Sequence, residues 1–255
     1  MTPYYEHGGI AIYNGDTLDV MDALRCKGEV RAVVTDPPYA SGARTEVAKK
    51  GSGAMQAGSV WASQPIMNDQ MTTVGFMWLM RQVAMRCMDL LADGGSFLSF
   101  IDWRQWPHLV GVLESTDMRV NSMIIWDKVY PGLGNGFRNQ HELVAFCSKN
   151  APRVLDKSHG NVIRCKRVKN EDHPSTKPVP LMRWLMQAVV SGGDLVLDPF
   201  MGAGSTLVAA KSMGVRAIGI EAKERFCEAA ARKLSQGVLD LDNLSAARNK
   251  GNGEG

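Results

Sequence analysis

The sequence predicts an α/β fold in which a doubly wound, mostly parallel sheet carries helices on both faces. Short runs rich in Val and Ile alternate along the chain with longer segments whose apolar residues recur at helical spacing. The glycine-containing stretches Asp93-Gly94-Gly95 and Ser191-Gly192-Gly193-Asp194 precede apolar runs, as expected where a helix ends and a strand begins. These two observations define the fold class.

Seven apolar runs are predicted as strands, which is enough for one sheet. They are Ile10–Tyr13, Arg31–Thr35, Ser96–Phe100, Asn121–Trp126, Leu143–Cys147, Leu195–Leu197 and Ala217–Ile220. Between the fourth and the fifth run lies only the glycine-rich segment Val129–His141, without a helical pattern. Because parallel neighbours need a long crossover, these two strands are predicted to pair as an antiparallel hairpin at one edge.

Six segments with helical periodicity are predicted as helices. They are Leu18–Leu24, Phe76–Leu91, Trp106–Glu114, Val179–Val190, Thr206–Met213 and Lys223–Leu234. Most of them lie between two predicted strands, so they supply the crossovers that a parallel sheet requires.

Residues 1–234 are predicted to form a single domain, and three segments stand apart from the alternation of strands and helices. Residues 40–73 are rich in Gly, Ser and Ala, and a loop of this length is expected to be mobile and functional. Residues 149–172 form the most basic cluster of the chain. Residues 235–255 are expected to be a flexible tail.

Composition limits the class of protein further. The chain is 45% hydrophobic and 22% charged with a net charge of only +3, so any surface for nucleic acid must be a local patch. Its five cysteines include no CxxC pair, which argues against a zinc site, a redox motif or a disulfide framework. No apolar run reaches the length of a membrane span, and the expected location is the cytoplasm.

The stretch TDPPYASG follows the second predicted strand. Proline fixes its own φ and biases the preceding residue toward extended backbone, so Asp36, Pro37 and Pro38 should form a stiff, non-helical corner. Such a corner presents fixed acceptors beside the ring of Tyr39. In isolation, DPPY is equally compatible with an ordinary turn at the end of a strand.

A second motif, GDLVLDPFMGAGSTLVAA, combines an apolar strand, an acid, a glycine loop and a helix. Gly202 and Gly204 allow close approach of a ligand to the backbone, and Glu221 ends the next strand where a carboxylate can bind ribose hydroxyls. The loop lacks the GK[ST] ending of a phosphate-binding loop. A dinucleotide-dependent oxidoreductase would show similar features, but it would give DPPY no task.

Together these motifs resemble those of the β-class DNA amino-methyltransferases. DPPY at 36–39, HPSTKP at 173–178 and DPFMGAGST at 198–206 occur in the order of that class, with the catalytic motif before the cofactor motif. The resemblance extends over roughly residues 8–234. It implies a Rossmann-like methyltransferase sheet with a small basic target-recognition insertion, S-adenosylmethionine as cofactor and double-stranded DNA as substrate. Thr176, Met201 and Ala203 depart from the most usual residues at their positions.

The resemblance gives the DPPY corner a chemical task. The lone pair of an exocyclic amino group is delocalised into the base, so the nitrogen is a poor nucleophile. Acceptance of its hydrogens by the Asp36 carboxylate and the Pro37 carbonyl would localise that lone pair as the reaction proceeds. Pro38 stiffens the corner, and Tyr39 offers a ring on which a flipped base can stack.

The resemblance also implies the cofactor site. Asp198 and the Phe200–Gly204 turn would hold the methionine end, Glu221 the ribose and Asp16 the adenine amino group. Lys177, with Ser175 or Thr176, matches the segment that meets the methionine carboxylate. The full predicted set is Asp16, Ser175, Thr176, Lys177, Asp198, Pro199, Phe200, Gly202, Gly204, Ser205, Thr206 and Glu221. No metal is expected.

Residues in three segments, most of them basic, are predicted to contact DNA. They are Arg44, Lys49 and Lys50 after DPPY, Arg138, Asn139 and His141 at the hairpin, and Arg164, Lys166, Arg167 and Lys169 in the basic cluster. Glu142, next to His141, lies where the family keeps residues near the target base. A solvated basic surface and a satisfied hairpin turn are the alternatives.

The target base is left open between two amino groups. DPPY rather than SPPY favours adenine N6, with cytosine N4, an RNA adenine or a protein glutamine amide as alternatives. A catalytically idle DNA-binding module is the alternative outside enzymes. A homodimer and a cognate restriction endonuclease are the further partners that the resemblance suggests.

Overall fold

The computed structural model describes residues 1–39, 71–132, 136–168 and 176–235. In these ranges one sheet has nine strands in the order β1-β2-β9-β8-β3-β4-β6-β5-β7. The strands are β1 Tyr5–His7, β2 Ile10–Asn14, β3 Val30–Thr35, β4 Leu91–Ile101, β5 Arg119–Asp127, β6 His141–Ser148, β7 Val162–Arg164, β8 Leu195–Asp198 and β9 Arg216–Glu221.

The six predicted helices are all present in the described residues. They are α1 Thr17–Ala23, α2 Thr73–Leu90, α3 Trp106–Glu114, α4 Val179–Gln187, α5 Ser205–Ser212 and α6 Glu224–Ser235. Asp16 caps α1 by accepting a hydrogen bond from the Leu18 N–H at 2.9 Å, and Thr72 caps α2 through the Gly75 N–H at 3.1 Å. No helix of the described residues is long and apolar enough to cross a lipid bilayer.

The α/β class is confirmed, but the predicted strand count of seven is wrong. The central strands β2, β9, β8, β3 and β4 are parallel, and β6 pairs with β4 and with β5 in the antiparallel sense. The added strands β1 and β7 have three residues each, too few to show an apolar periodicity. The β5–β6 pair is the predicted hairpin, yet β7 lies outside it at the edge.

The glycines at Asp93-Gly94-Gly95 do not separate a helix from a strand, which corrects the sequence prediction. They lie inside β4, where the register with β3 shifts and Gly94 has a φ of 66°. The Gly94 N–H donates to the Lys149 carbonyl at 2.9 Å, and the Arg153 N–H donates to the Gly94 carbonyl at 3.0 Å. These bonds keep the irregular backbone in the sheet.

Both faces of the central strands are buried. Val33 and Phe97 pack with Phe76 of α2 in one core, whereas Val34 lies in a second core with residues of α4 and α5. A parallel strand covered on both faces is expected to be mostly apolar, and four of the six residues of Val30–Thr35 are.

The chain reverses its winding direction between β3 and β8, the two central neighbours. β3 continues through the described helix α2 to β4 on one side, and β8 continues through α5 to β9 on the other. In open α/β sheets the carboxyl ends of strands at such a switch point border the ligand crevice. Asp36 follows β3, and Asp198 ends β8.

Replacement of Gly204 by alanine tests how closely the glycine loop packs on α6. Gly204 has a φ of 81°, and an added Cβ would lie 2.8 Å from the Ala230 Cβ. We expect Gly204→Ala to lower the free energy of unfolding by about 1–3 kcal/mol more than Gly214→Ala. Gly214 is the matched control because its φ is 64° but its Cβ would meet nothing within 4 Å. Equal losses in urea unfolding would contradict this packing account.

Candidate active site

The ends of β3 and β8 are joined through the Asp198 carboxylate. The Thr35 hydroxyl donates to Asp198 Oδ1 at 2.8 Å, and the Phe200 N–H donates to the same oxygen at 3.1 Å. The Thr206 hydroxyl at the start of α5 donates to Oδ2 at 2.5 Å. Through these three hydrogen bonds, the buried Asp198 side chain fixes the strand before DPPY, the glycine loop and α5 against each other.

Burial raises the pKa of Asp198 to about 7, although its three hydrogen-bond donors oppose the shift. An unfolded aspartate titrates near 3.8. The folded state therefore binds the proton more tightly, and this stabilising contribution is present below pH 3.8 and is lost as the pH rises through 7. The junction is therefore sensitive to pH in the neutral range.

The Asp36 carboxylate at the DPPY corner is occupied by two donors of the protein itself. The Tyr39 hydroxyl donates to Asp36 Oδ1, and the Lys177 ammonium donates to Oδ2. The Asp36 side chain retains 23% exposure, whereas that of Lys177 retains 8%. Lys177 also lies 5.6 Å from the centre of the Tyr39 ring and 5.0 Å from that of Phe100.

The ion pair of Asp36 with Lys177 belongs to a chain of four side chains whose charges alternate in sign. Lys177 Nζ lies 3.3 Å from Glu142 Oε2, and Lys128 Nζ lies 2.5 Å from Glu142 Oε1. The order of the chain is Asp36, Lys177, Glu142 and Lys128, so two carboxylates face two ammonium groups. Buried charges are tolerated when they are paired in this way.

The pKa shifts follow from burial and from these neighbours. Burial raises the pKa of Asp36, opposed by Lys177 and assisted by Glu142. Burial also acts to raise the pKa of Glu142, but Lys177 and Lys128 outweigh it and the net shift is downward. Burial acts to lower the pKa of Lys177, but Asp36 and Glu142 outweigh it and raise that pKa. Lys177 and Glu142 are therefore charged at neutral pH.

One cavity of about 470 Å³ joins both motifs. This volume is within the range of small-molecule sites. Its lining includes every predicted catalytic residue and most of the predicted cofactor residues: Asp36, Pro37, Pro38, Tyr39, Asp16, Thr176, Lys177, Asp198, Pro199, Phe200, Gly202, Ser205, Thr206 and Glu221.

At one end of the cavity, backbone amides surround the Glu221 carboxylate. The Gly202 N–H donates to Glu221 Oε2 at 3.1 Å, and the Lys223 N–H donates to Oε1 at 2.9 Å. Burial raises the pKa of Glu221, opposed by these two bonds. The Thr17 hydroxyl donates to the Pro199 carbonyl at 2.8 Å, which holds α1 against the loop after β8.

At this end of the cavity the carboxylate side chains are acceptors, which suits a ligand that carries hydroxyl and amine donors. The carboxylates of Glu221 and Asp16 both line that end and can accept from such donors. Gly204 forms the N-cap of α5 in the left-handed conformation. Lys177 lines the cavity too, and its ammonium contacts Asp36 and Glu142. Its contact with the methionine carboxylate stays a prediction.

The predicted DNA-binding residues separate into four sets. Arg167 lines the cavity and donates to the Tyr130 carbonyl at 3.2 Å, and Lys166 lies 5.8 Å from the centre of the Tyr130 ring. Arg164 is 3.5 Å from Asp127, and the exposed set at the hairpin is Arg138, Asn139 and His141. Arg44, Lys49, Lys50 and Lys169 lie outside the described residues, as does Ser175.

Part of the basic cluster has a structural task. The Lys149 ammonium donates to the carbonyls of Met88 and Leu91 at 2.7 and 3.0 Å, at the end of α2. Arg153 lies 3.5 Å from Asp194. Among the described basic residues of the cluster, Arg167 lies further along the chain and lines the cavity.

Sequence reasoning missed Lys128 and Thr35. The pairing of Trp126 with Glu142 places Lys128 diagonally across from Glu142 on one face of the hairpin, a relation that correct strand registers would have indicated. Thr35 is the last residue of a mostly apolar strand, so only its partner Asp198 shows its importance. No three His, Cys, Asp or Glu side chains of the described residues are grouped to hold a metal ion.

Comparison with known proteins identifies the class. A family model described as DNA methylase, for the N6 and N4 enzymes, matches residues 30–232. The chain belongs to this family, whose members depend on S-adenosylmethionine.

Similar proteins carry methylase or methyltransferase names. YubD of Escherichia coli K12, described as a methylase, is 27% identical over 87% of this chain and 88% of its own length. The type II methyltransferase M.HinfI of Haemophilus influenzae is 25% identical, over 59% of this chain and 49% of its own.

Solved structures share the fold. The M1.HpyAVI complex with S-adenosylmethionine matches with a TM-score of 0.66 and 22% identity, covering 88% of this chain and 99% of that one. The cytosine-N4-specific PvuII DNA methyltransferase matches with a TM-score of 0.72 and 14% identity, covering 94% and 93%.

Removal of Lys177 tests the charge chain. We expect Lys177→Met to lower the free energy of unfolding by about 3 kcal/mol, because it leaves Asp36 and Glu142 without their shared cation. The matched control is Arg86→Met, which removes a 2.7 Å ion pair with Asp22, whose side chain is 58% exposed. That variant should lose at most about 1 kcal/mol. Similar losses in urea unfolding would show that the Lys177 contacts are no stronger than a surface pair.

Proposed function

We propose that this chain is a site-specific adenine N6-methyltransferase of double-stranded DNA. In the proposed reaction, a methyl group passes from S-adenosylmethionine to the exocyclic amino group of an adenine flipped out of the duplex. The observation that supports it most is the single cavity shared by Asp36, Asp198 and Glu221. A methyl donor and an amino acceptor can therefore be held next to each other.

S-adenosylmethionine, when bound, supplies a methyl group on a sulfonium, which is a strong electrophile. Glu221 and Asp16 are proposed to hold its ribose and its adenine amino group, since both carboxylates line the end of the cavity near β9 and α1. Asp198 and the loop from Pro199 to Thr206 are proposed to hold the methionine end. The bonds of Asp198 to Thr35 and Thr206 keep that loop preorganised.

Asp36 and Pro37 are proposed as the acceptors of the two amino hydrogens. Their pull favours a pyramidal nitrogen whose lone pair points toward the methyl group. As the carbon–nitrogen bond forms and the carbon–sulfur bond breaks, the nitrogen gains positive charge and becomes acidic. The Asp36 carboxylate, whose pKa burial raises, is placed to take the proton that the nitrogen then releases.

The charge chain supports an exchange of donors at Asp36. In the structure both carboxylate oxygens accept from the protein, one from Tyr39 and one from Lys177. An amino group that replaces the Tyr39 hydroxyl leaves the tyrosine ring free to stack on the base. Lys177 can be released without becoming unpaired, because Glu142 is already 3.3 Å away. This assigns Glu142 and Lys128 to positioning rather than to contact with the methyl group.

DNA is proposed to approach over the basic rim of the cavity. Arg167 lines it, Arg164 and Lys166 are exposed close to Arg167 in sequence, and Arg138 is exposed on the hairpin. The net charge of the chain is only +3, so attraction of DNA is proposed to depend on this local cluster of positive side chains. Arg44, Lys49, Lys50 and Lys169 remain predicted contacts. A homodimer and a cognate endonuclease likewise remain predictions.

Cytosine N4 is the second candidate target. It has the same chemistry at its amino group, and the PvuII enzyme with the shared fold is cytosine-N4-specific. DPPY at 36–39 favours adenine on the resemblance of motifs.

Mass spectrometry of the modified nucleoside tests the proposed function. Purified protein is incubated with methyl-labelled S-adenosylmethionine and unmethylated double-stranded DNA, and the DNA is digested. We expect labelled N6-methyladenine, and we expect Asp36→Asn to lower the rate by at least about 100-fold because it loses a charged acceptor. Asp22→Asn is the control, since the Asp22 side chain is 58% exposed and pairs with Arg86 outside the lining of the cavity.

The other outcomes overturn the proposal in different ways. N4-methylcytosine would keep the mechanism and correct the base. Label in RNA or in protein amides alone would correct the substrate class. An Asp36→Asn variant as fast as the parent protein would reject the role of the DPPY corner.

A further inference from the structure

The β5–β6 hairpin extends as a ribbon beyond the rim of the cavity. Lys128 and Glu142 line the cavity on its two strands, and the ribbon continues past them. The Lys128 N–H donates to the Gln140 carbonyl at 2.8 Å, and the Gly132 N–H donates to the Asn139 carbonyl at 2.9 Å. These hydrogen bonds join the two arms of the ribbon next to Phe137 and Arg138, which precede Asn139.

Phe137 lies on this extension with its side chain fully exposed, at 107% of the reference accessibility. No other large hydrophobic side chain of the described residues is as exposed. Gly136, directly before it, has a φ of 74°. A single exposed apolar residue needs no explanation by itself, so the position and the surroundings of Phe137 must carry the argument.

The surroundings combine aromatic rings with positive charge. Tyr130, on the other arm of the ribbon, is 61% exposed, and its ring faces the Lys166 ammonium at 5.8 Å. Arg167 donates to the Tyr130 carbonyl, and Arg138 follows Phe137 directly and is exposed. Exposed aromatic rings among cations are typical of surfaces that contact both the backbone and the bases of nucleic acid.

The position also suits a base stack. Phe137 is three residues beyond Gln140, so it can lie at most about 10 Å from the point where the ribbon leaves the cavity rim. A base that enters the cavity leaves a gap in the duplex directly opposite that rim. Apolar side chains that enter a base stack in this way are known as wedges in other DNA-binding folds.

We propose that Phe137 is a wedge that enters the DNA base stack and occupies the space vacated by the flipped target base. The inference rests on the proposed function, because it requires a base to leave the duplex. Contact with the exposed bases on either side favours the flipped state, and Arg138 provides an adjacent phosphate contact. Phe137 is thus a positioning residue that does not touch the methyl group.

Methyl transfer to two duplexes tests the wedge. Both contain the site that the nucleoside assay and sequencing of the methylated DNA identify, but one has an abasic position opposite the target base. On the fully paired duplex, Phe137→Ala should lower kcat/KM by about tenfold or more, because the flipped state loses its stacking partner. On the abasic duplex, where the target is already unpaired, the loss should shrink to about twofold.

Two further variants separate the wedge from other effects. Phe137→Trp should retain kcat/KM within about threefold, since it keeps a stacking ring. Tyr4→Ala is the matched control, because Tyr4 is an exposed aromatic residue beside β1 at the opposite edge of the sheet. This variant should leave kcat/KM unchanged on both duplexes. An equal loss for Phe137→Ala on both duplexes, or no loss on either, would overturn the wedge. A parent protein without activity on any DNA would reject the proposed function instead.

Discussion

The hydrogen bond from the Thr35 hydroxyl to the Asp198 carboxylate is the contact on which the arrangement of the site depends. It joins the carboxyl ends of the two central strands at the point where the sheet reverses its winding. One strand leads directly into the DPPY corner, and the other leads into the glycine loop. Because Thr206 donates to the other oxygen of Asp198, the helix after that loop is held by the same side chain. The proposed chemistry needs the amino acceptors and the methyl donor at a fixed separation, and this junction sets it.

The second constraint is electrostatic. In the proposed reaction the partly buried Asp36 carboxylate accepts hydrogens from a base, and the Lys177 ammonium holds that carboxylate in an ion pair before the base arrives. Its position between Asp36 and Glu142 gives the cation a partner before and after the base arrives, with Lys128 completing the chain of opposite charges. The cost of burying the four charges is limited because each faces an opposite charge. Stability and readiness for catalysis thus depend on the same contacts.

The sequence predicts much of this because its signals are local. The apolar run before Asp36, the glycine loop after Asp198 and the helical periodicities identify the parallel core, all six helices and the two halves of the cavity. It does not predict β1 and β7, whose three residues carry no periodicity, or the continuation of β4 through Gly94, which depends on hydrogen bonds to a distant segment. The contact of Lys177 with Asp36 was likewise invisible, because the two residues are 141 positions apart and only the fold brings them together.

The most direct test of the β3–β8 junction is the single-turnover rate of methyl transfer by Thr35→Val, with Thr35→Ser as the matched control. Valine keeps the shape of the side chain and removes the hydroxyl that reaches Asp198, whereas serine keeps the hydroxyl. At saturating S-adenosylmethionine and DNA, the valine variant should be about 10- to 100-fold slower, because a small misplacement of the reacting groups is costly. The serine variant should stay within about threefold of the parent protein. A valine variant as fast as the parent protein would contradict the dependence of catalysis on this junction.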